Sequence, residues 1–188
     1  MSIKRLFDII LSVILAIILI VPFLIIAIAV TLTSRGPVFY ISDRVGRGNS
    51  IFKMYKFRTM KTDTPPVATH LLAKPNEYLT PIGDFLRKTS LDELPQVFNI
   101  LKGDMSFVGP RPALFNQDDL IRLRTEKGIH ELMPGLTGWA QINGRDELPI
   151  PVKVECDEYY KNNISFLLDL EILSGTILKV FKKEGVTH

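Results

Sequence analysis

The stretch Thr89-Ser90-Leu91-Asp92-Glu93-Leu94-Pro95-Gln96 places two adjacent carboxylates directly ahead of an apolar run at helical spacing. Ser90 is followed three residues later by Glu93, the pattern of a capping box, which predicts a helix that begins here. Lys102 and Gly103 then provide a basic last turn and a glycine beyond it, which predict the end of that helix. The two carboxylates would thus lie at the positive end of a short helix, which favours their ionised forms.

Neighbouring residues on a helix point in different directions, so Asp92 can face a substrate while Glu93 holds a metal ion. The simpler interpretation is a capped helix with acidic residues in its first turn, and the local pattern alone favours it. The rest of the chain is needed to decide between a catalytic pair and a structural cap.

The chain of 188 residues is slightly basic and long enough for one domain with a real core. Its 23 Lys and Arg residues against 20 Asp and Glu suit anionic partners such as phosphates or lipid head groups, but the excess is too small to indicate nucleic acid. A single cysteine, Cys156, excludes an internal disulfide, and three scattered histidines provide no cluster for zinc. Mg²⁺ on carboxylate oxygens is the better expectation for a metal.

An uncharged hydrophobic segment runs from Ile9 to Leu32 and is long enough to cross a bilayer. Pro22 lies near its middle, where it frees a backbone carbonyl group and kinks a helix. Lys4 and Arg5 precede the segment and Arg35 follows it, so the flanking charges indicate no inside–outside direction. Two interpretations stay open: one spanning helix, or a helix broken at Pro22 that enters and leaves by the same face.

Several basic side chains are candidates for contacts to a diphosphate. The pattern from Val38 to Ile41 and from Ile51 to Thr59 predicts a small β-hairpin, and on its second strand Lys56 and Arg58 share one face. Two adjacent cations suit a diphosphate, although a basic edge strand that discourages pairing has the same pattern. Prolines on both sides of Arg111 stiffen its loop, and a guanidinium held in one direction suits phosphate binding.

The remaining patterns predict helices and turns of a single domain. Two amphipathic patterns, near Thr80-Pro81 and from Phe166 to Lys183, predict helices that could lie on a membrane surface or on the core. The glycine-rich run Pro134–Gly138 matches no nucleotide-binding pattern and predicts a turn. No internal repeat or second domain is visible, so residues 1–188 are expected to form one domain.

Several motifs occur in one order along nearly the whole chain. They are Lys4-Arg5…Asp8 before the hydrophobic segment, Tyr55–Met60, Arg87–Gln96, Leu101–Ser106, Gly109–Pro112 and Pro134–Gln141. This order resembles the bacterial sugar transferase family, the monotopic phosphoglycosyl transferases, in its minimal form and closest to capsule-type members. The resemblance implies an α/β, mostly helical membrane protein with a re-entrant helix over residues 1–35, a small hairpin, amphipathic interfacial helices and a cytoplasmic catalytic region over 36–188.

The resemblance also implies a reaction. Such enzymes move a sugar-1-phosphate, here of an N-acetylated deoxy sugar, from a UDP-sugar to undecaprenyl phosphate and release UMP at the cytoplasmic face of the cell membrane. This is the first membrane step in making capsule, O-antigen or glycoprotein glycans. Asp92 would be the nucleophile that forms an aspartyl-phosphosugar intermediate, and Glu93 would help to hold Mg²⁺. Anionic phospholipids are expected as further partners.

Other residues match the family motifs position by position. Those that match positions lining the family's active site are Lys56, Arg111, Arg145 and Asp169. The first three would contact phosphate or nucleotide, and the role of Asp169 stays open. Pro22 matches the family's helix break, with Val21 where many members carry serine, and Lys4, Arg5 and Asp8 belong to the anchor.

Two other functions are compatible with these residues. The first is a membrane-bound hydrolase that uses the same acidic pair and cations on lipid phosphates, which would release inorganic phosphate rather than UMP. The second is a non-catalytic membrane adaptor in which the acidic pair is only a helix cap. In an adaptor, loss of the Asp92 carboxylate would leave activity unchanged.

Overall fold

The computed structural model describes residues 3–65, 74–144 and 148–182, and within these ranges the chain is mostly helical. The α-helices are α1 (Ile3–Ile18), α2 (Ile20–Thr33), α3 (Gly83–Lys88), α4 (Gln96–Lys102), α5 (Asp118–Glu126), α6 (Trp139–Ile142), α7 (Ile150–Asn162) and α8 (Phe166–Lys182). The strands are β1 (Phe39–Val45), β2 (Ile51–Phe57), β3 (Ser106–Val108) and β4 (Gly135–Thr137). The predicted class, α/β and mostly helical with a small hairpin, is confirmed.

Two separate two-stranded sheets make up the β-structure of the described residues. β1 and β2 form the predicted antiparallel hairpin, with Tyr40 opposite Lys56. β3 and β4 pair in parallel, so the prediction of a turn at the glycine-rich run is wrong. Gly135 permits this pairing, because a Cβ at that position would lie only 2.1 Å from the backbone nitrogen of Gly109.

The helix that follows the two carboxylates begins later than the capping box predicts. Ser90 has a left-handed backbone (φ 56°) and makes no capping hydrogen bond, and Leu91–Glu93 form a single 3₁₀ turn. The reason is Pro95, whose missing N–H interrupts helical bonding five residues after Ser90, so that α4 begins only at Gln96. The predicted end is confirmed, because Gly103 is left-handed (φ 94°) and its N–H caps the last turn.

The N-terminal hydrophobic segment consists of two helices with a bend of 63° between them. They meet at Leu19, one turn before Pro22, because the proline ring clashes with the Ile18 carbonyl group and offers it no N–H. Within the described ranges, no single helix combines the length and the apolar composition needed to cross a bilayer. The bent pair taken together has the length and composition of a broken span or of a re-entrant loop.

The charged residues at the start of α1 fasten this helix to the rest of the protein. Lys4 Nζ lies 2.6 Å from Asp169 Oδ2 on α8, and Arg5 donates to two carbonyl groups in the last part of α4. The buried carboxylate of Asp8 accepts a hydrogen bond of 3.1 Å from the N–H of Phe107 in β3. These predicted anchor residues therefore hold the helix pair against the folded region.

The far end of the helix pair is held by Arg58. Its guanidinium donates to the carbonyl groups of Ser34, Arg35 and Pro37 at 2.9, 3.0 and 2.6 Å. The end of a helix leaves carbonyl groups without intrahelical partners, and a buried guanidinium satisfies them at the close of α2 and in the residues after it.

A small hydrophobic cluster joins α2 to the turn that carries the two carboxylates. Its buried members are Ile26, Val30, Phe57 and Leu86. Leu91 and Leu94, which stand on either side of the two carboxylates, pack against this cluster. The ring of Phe23 on α2 also lies 4.8 Å from that of Phe57 and 5.8 Å from that of Phe98 on α4. The acidic turn and α2 therefore contribute to the same hydrophobic cluster.

We expect Pro22→Ala to reduce the bend between α1 and α2. Alanine supplies an N–H for the Ile18 carbonyl group and removes the ring that clashes with it. Electron spin–spin distance measurements between labels at Ile3 and Leu32, both highly exposed, should give a longer distance in Pro22→Ala than in the parent protein.

The labels are placed in a Cys156→Ser background, so that each protein carries only the two intended thiols. Val21→Ala shortens the neighbouring side chain without changing the backbone hydrogen bonds and is the matched control. An unchanged distance in Pro22→Ala would contradict the assignment of the bend to the proline.

Candidate active site

A buried asparagine fixes α4 to the hairpin. Asn99 accepts a hydrogen bond of 3.1 Å from the Tyr55 N–H and donates one of 2.7 Å to the Lys53 carbonyl group. Its side-chain amide thus pairs with the backbone of β2 as a neighbouring strand would. Because Lys56 follows Tyr55 on this strand, the contact brings Lys56 to the acidic turn that precedes α4.

One carboxylate oxygen, Glu93 Oε1, is shared by two cations. Lys56 Nζ lies 2.7 Å from it and Arg111 Nη2 lies 2.8 Å from it. Lys56 Nζ is also 3.4 Å from Asp92 Oδ2, so this lysine bridges the two acidic residues. The structure therefore brings together four of the predicted site residues, and Asp92 is only 6% exposed among them.

The two carboxyl groups have pKa values that are shifted in opposite directions. Burial raises the pKa of Asp92, an effect that Lys56 opposes and the charge of Glu93 reinforces. Burial acts in the same direction on Glu93, but Arg111 and Lys56 outweigh it and hold the pKa of Glu93 well below its usual range. The prediction that a helix end favours the ionised form of both groups is wrong for Asp92, because burial outweighs the favourable charges around it.

Arg111 is presented by a loop that is held at its backbone. The prolines on either side of it lack N–H donors, so the loop is fixed largely through its carbonyl groups. The Pro110 carbonyl group accepts from Gly135 N–H at 2.9 Å, and that of Arg111 accepts from Arg124 Nη1 at 2.8 Å. This geometry agrees with the predicted rigid presentation of the guanidinium.

A third cation, Arg87, lies near Asp92 and is absent from the predicted site residues. Its Nε donates to Thr59 Oγ1 at 3.0 Å, and its charge acts to lower the pKa of Asp92. Burial lowers the pKa of Arg87 itself, while Asp92 acts to raise it. Arg87 lies in the Arg87–Gln96 motif, five residues before Asp92, and this position could have identified it as a site residue. Helical spacing would not pair the two, and the left-handed turn at Ser90 changes the direction of the chain between them.

Three other predicted site residues do not join this cluster in the described structure. Arg58 is engaged by carbonyl groups at the end of α2, so its placement does not support the expected contact to a diphosphate. Asp169 binds Lys4 and accepts a hydrogen bond of 2.7 Å from the Tyr160 hydroxyl, which gives it a role in docking α1. Arg145 lies outside the described residues.

The oxygen donors of the site fit Mg²⁺ better than a transition metal. In the parts of the chain that the structure describes, no three His, Cys, Asp or Glu side chains converge to hold an ion. The two adjacent carboxylates of Asp92 and Glu93 are what the site offers. Mg²⁺ is commonly held by one or two carboxylates, with its other ligands drawn from water and substrate phosphates. These residues therefore suit an ion that binds together with a phosphorylated substrate.

A buried aspartate and a partly buried glutamate among three cations, close to a hydrophobic helix pair, form the candidate site. The chain belongs to the family described as bacterial sugar transferase, whose profile matches residues 1–183. The resemblance inferred from the order of the motifs is confirmed.

Curated relatives agree with this assignment. An uncharacterized sugar transferase, EpsL of Bacillus subtilis, is 46% identical over 99% of this chain and 91% of the relative. The undecaprenyl-phosphate galactose phosphotransferase of Salmonella typhimurium is 37% identical over 97% of this chain. The UDP-glucose:undecaprenyl-phosphate glucose-1-phosphate transferase of Escherichia coli is 38% identical over 95% of this chain. The chain spans 41% and 40% of the lengths of these last two relatives.

We expect Asp92→Asn and Glu93→Gln to differ in stability at neutral pH. Because the pKa of Asp92 is raised in the fold, stability is lost as the pH rises from the ordinary value of 3.8 through the raised pKa, and asparagine removes this penalty. A lowered pKa means that Glu93 contributes stability above its ordinary value of 4.5. That contribution is lost as the pH falls, and glutamine removes it.

Thermal unfolding in detergent should show Asp92→Asn as stable as the parent or more so. Glu93→Gln should lose about 2 kcal/mol, because it leaves two partly buried cations without their anion. An equal loss of stability in both variants would contradict the opposite shifts of the two carboxyl groups.

Proposed function

We propose that this protein transfers a sugar-1-phosphate from a UDP-sugar to undecaprenyl phosphate and releases UMP. The names of the Salmonella and Escherichia relatives specify transfer to undecaprenyl phosphate, which supports the general reaction. An N-acetylated deoxy sugar is proposed from the likeness to capsule-type sequences, and a panel of UDP-sugars scored by UMP release tests it. The reaction would begin the membrane stage of glycan assembly.

The position of the acidic turn is the observation that carries this proposal. Leu91 and Leu94 pack against the hydrophobic cluster that includes residues of α2, while Asp92 and Glu93 between them lie among Lys56 and other cations. A lipid phosphate and a water-soluble nucleotide can react only where an apolar surface adjoins a polar site. The arrangement of these residues suits both kinds of substrate.

In the first half of the reaction, a carboxylate oxygen of Asp92 attacks the phosphorus that carries the sugar. A bond forms between this oxygen and phosphorus, the bond from phosphorus to the UMP oxygen breaks, and UMP leaves with the electron pair. Lys56 and Arg111 would neutralise charge on the transferred and departing phosphates, and Arg87 would add a third positive charge.

In the second half, an oxygen of undecaprenyl phosphate attacks the same phosphorus. The bond from phosphorus to Asp92 breaks, and the free carboxylate is regenerated. Two successive displacements at Asp92 allow the bulky nucleotide sugar and the bulky lipid to use the site in turn.

Mg²⁺ is the proposed cofactor, and Glu93 would hold it. When bound, it would neutralise charge on the diphosphate. Glu93 suits this role because Arg111 and Lys56 keep it ionised, and because both cations fix the direction of its carboxylate.

In the proposed topology, α1 and α2 form a re-entrant helix at the cytoplasmic face of the cell membrane, with anionic phospholipids around it. Contacts at both ends of the pair support this topology. Lys4 at the start of α1 binds Asp169, and Arg58 holds the Ser34 carbonyl group after α2. A straight crossing would separate the two ends by about 30 Å of hydrocarbon, whereas here both contact the same folded region.

We expect the enzyme to form a covalent adduct with its donor alone. Incubation with UDP-sugar and Mg²⁺ but no lipid should release about one equivalent of UMP and add the mass of a sugar-phosphate to the protein. The rate should fall as the pH is lowered through the raised pKa of Asp92, because only the ionised carboxylate attacks. Mass spectrometry and a UMP assay measure both outcomes.

Asp92→Asn is the control, because it keeps the size of the side chain and removes the anion. An adduct on Asp92→Asn would assign the nucleophile to another residue. Release of UMP only when both substrates are present would indicate a direct displacement instead. Inorganic phosphate as the product would favour the hydrolase, and full activity of Asp92→Asn would favour the adaptor.

We expect both ends of the helix pair to be accessible from the cytoplasm. Single cysteines at Ile3 and Ser34, in a Cys156→Ser background, should both react with a membrane-impermeant thiol reagent in inside-out vesicles and not in intact cells. Labelling from opposite sides would show that the segment spans the membrane and would remove the re-entrant helix from the proposal.

A further inference from the structure

A buried ion pair that lies outside the acidic turn reaches the backbone of Arg111. Arg124 on α5 donates from Nε and Nη2 to Asp157 Oδ2 on α7, at 2.9 and 2.6 Å. Its Nη1 donates to the Arg111 carbonyl group at 2.8 Å. One planar guanidinium thus joins two helices to the loop that presents Arg111.

The Arg111 loop depends on bonds of this kind. The backbone N–H groups of Gly135 and Val45 hold carbonyl groups before and after Arg111, at 2.9 and 3.0 Å. The carbonyl group of Arg111 itself is bound by the side chain of Arg124. Because neither neighbouring proline has a backbone N–H, the loop cannot be held by donors of its own at these two positions. The direction of the Arg111 side chain therefore depends on where Arg124 lies.

A gain in folding stability does not by itself explain why the Arg124–Asp157 ion pair is buried. Asp157 is 1% exposed, and the side chain of Arg124 is 11% exposed. Removing both charges from water costs energy, and apolar residues of similar volume often stabilise a fold as well or better. A guanidinium does what an apolar residue cannot, because it binds a carboxylate on one edge and a backbone carbonyl group on the other.

We infer that Arg124 and Asp157 are positioning residues that set the direction of the Arg111 guanidinium and thereby the affinity of the site for a nucleoside diphosphate. Arg111 Nη2 lies 2.8 Å from Glu93 Oε1, so a shift of the loop would also move this cation relative to the acidic turn. The inference rests on the proposed function, in which Arg111 contacts a phosphate of the nucleotide. Arg124 and Asp157 themselves touch no substrate.

Arg124→Lys is the principal variant. Lysine keeps the positive charge beside Asp157, but it lacks the planar fork that binds two acceptors in fixed directions. Asp157→Asn is a secondary variant, because removal of one member of a buried pair can prevent folding. Arg122→Lys is the matched control, since it makes the same change on the same helix in an exposed pair with Glu126.

The measurement is the dissociation constant for UDP with Mg²⁺, obtained by calorimetry on the full chain in detergent. Arg124→Lys should weaken binding about tenfold, and Arg122→Lys should leave it unchanged. In an Arg111→Ala background, Arg124→Lys should have almost no further effect, because the side chain that it positions is gone. Thermal unfolding confirms that each variant is folded.

The outcomes separate this inference from the proposed function. If the parent protein binds UDP and Arg124→Lys binds it equally well, Arg124 does not position Arg111 and the inference is wrong. If Arg124→Lys weakens binding as much without Arg111 as with it, the effect is a general structural one and the inference is also wrong. If the parent binds no UDP, the proposed function fails, and the inference fails with it.

Discussion

The site depends on the sharing of Glu93 Oε1 between Lys56 and Arg111. These residues come from three parts of the chain, which are a strand of the hairpin, the turn before α4 and the proline-flanked loop. Two partly buried cations that share one acceptor would repel each other without an anion between them. Glu93 meets both of them, whereas the ion pair of Asp92 with Lys56 is longer, at 3.4 Å.

The short elements of this fold are positioned by side chains that bind backbone groups. α4 has seven residues and β3 has three, so each contributes only a few apolar side chains, such as Ile100 and Phe107, to the core. Asn99, Arg58 and Arg124 each add specific hydrogen bonds to backbone carbonyl groups. Such bonds have fixed directions, which apolar packing lacks, and they can hold a site to the accuracy that chemistry needs.

A shared hydrophobic cluster connects the helix pair to the site. α2 and the acidic turn share one hydrophobic cluster, to which Leu91 and Leu94 contribute, and α2 is set at an angle of 63° to α1. Polar contacts hold the pair at both ends, through Lys4 and Arg58.

The sequence by itself determined the hairpin, the end of α4 at Gly103, a kink near Pro22 and the types of residue at the site, while the break into two helices came from the structure. These features depend on a few neighbours along the chain, where periodicity, glycine and proline act directly. Only the tertiary structure decided that Arg58 closes α2, that Asp169 docks α1, and that Arg87 lies beside Asp92. The tertiary structure also shifts the pKa values of Asp92 and Glu93 in opposite directions. Burial and nearby charges cause these shifts, and both depend on contacts between residues far apart in sequence.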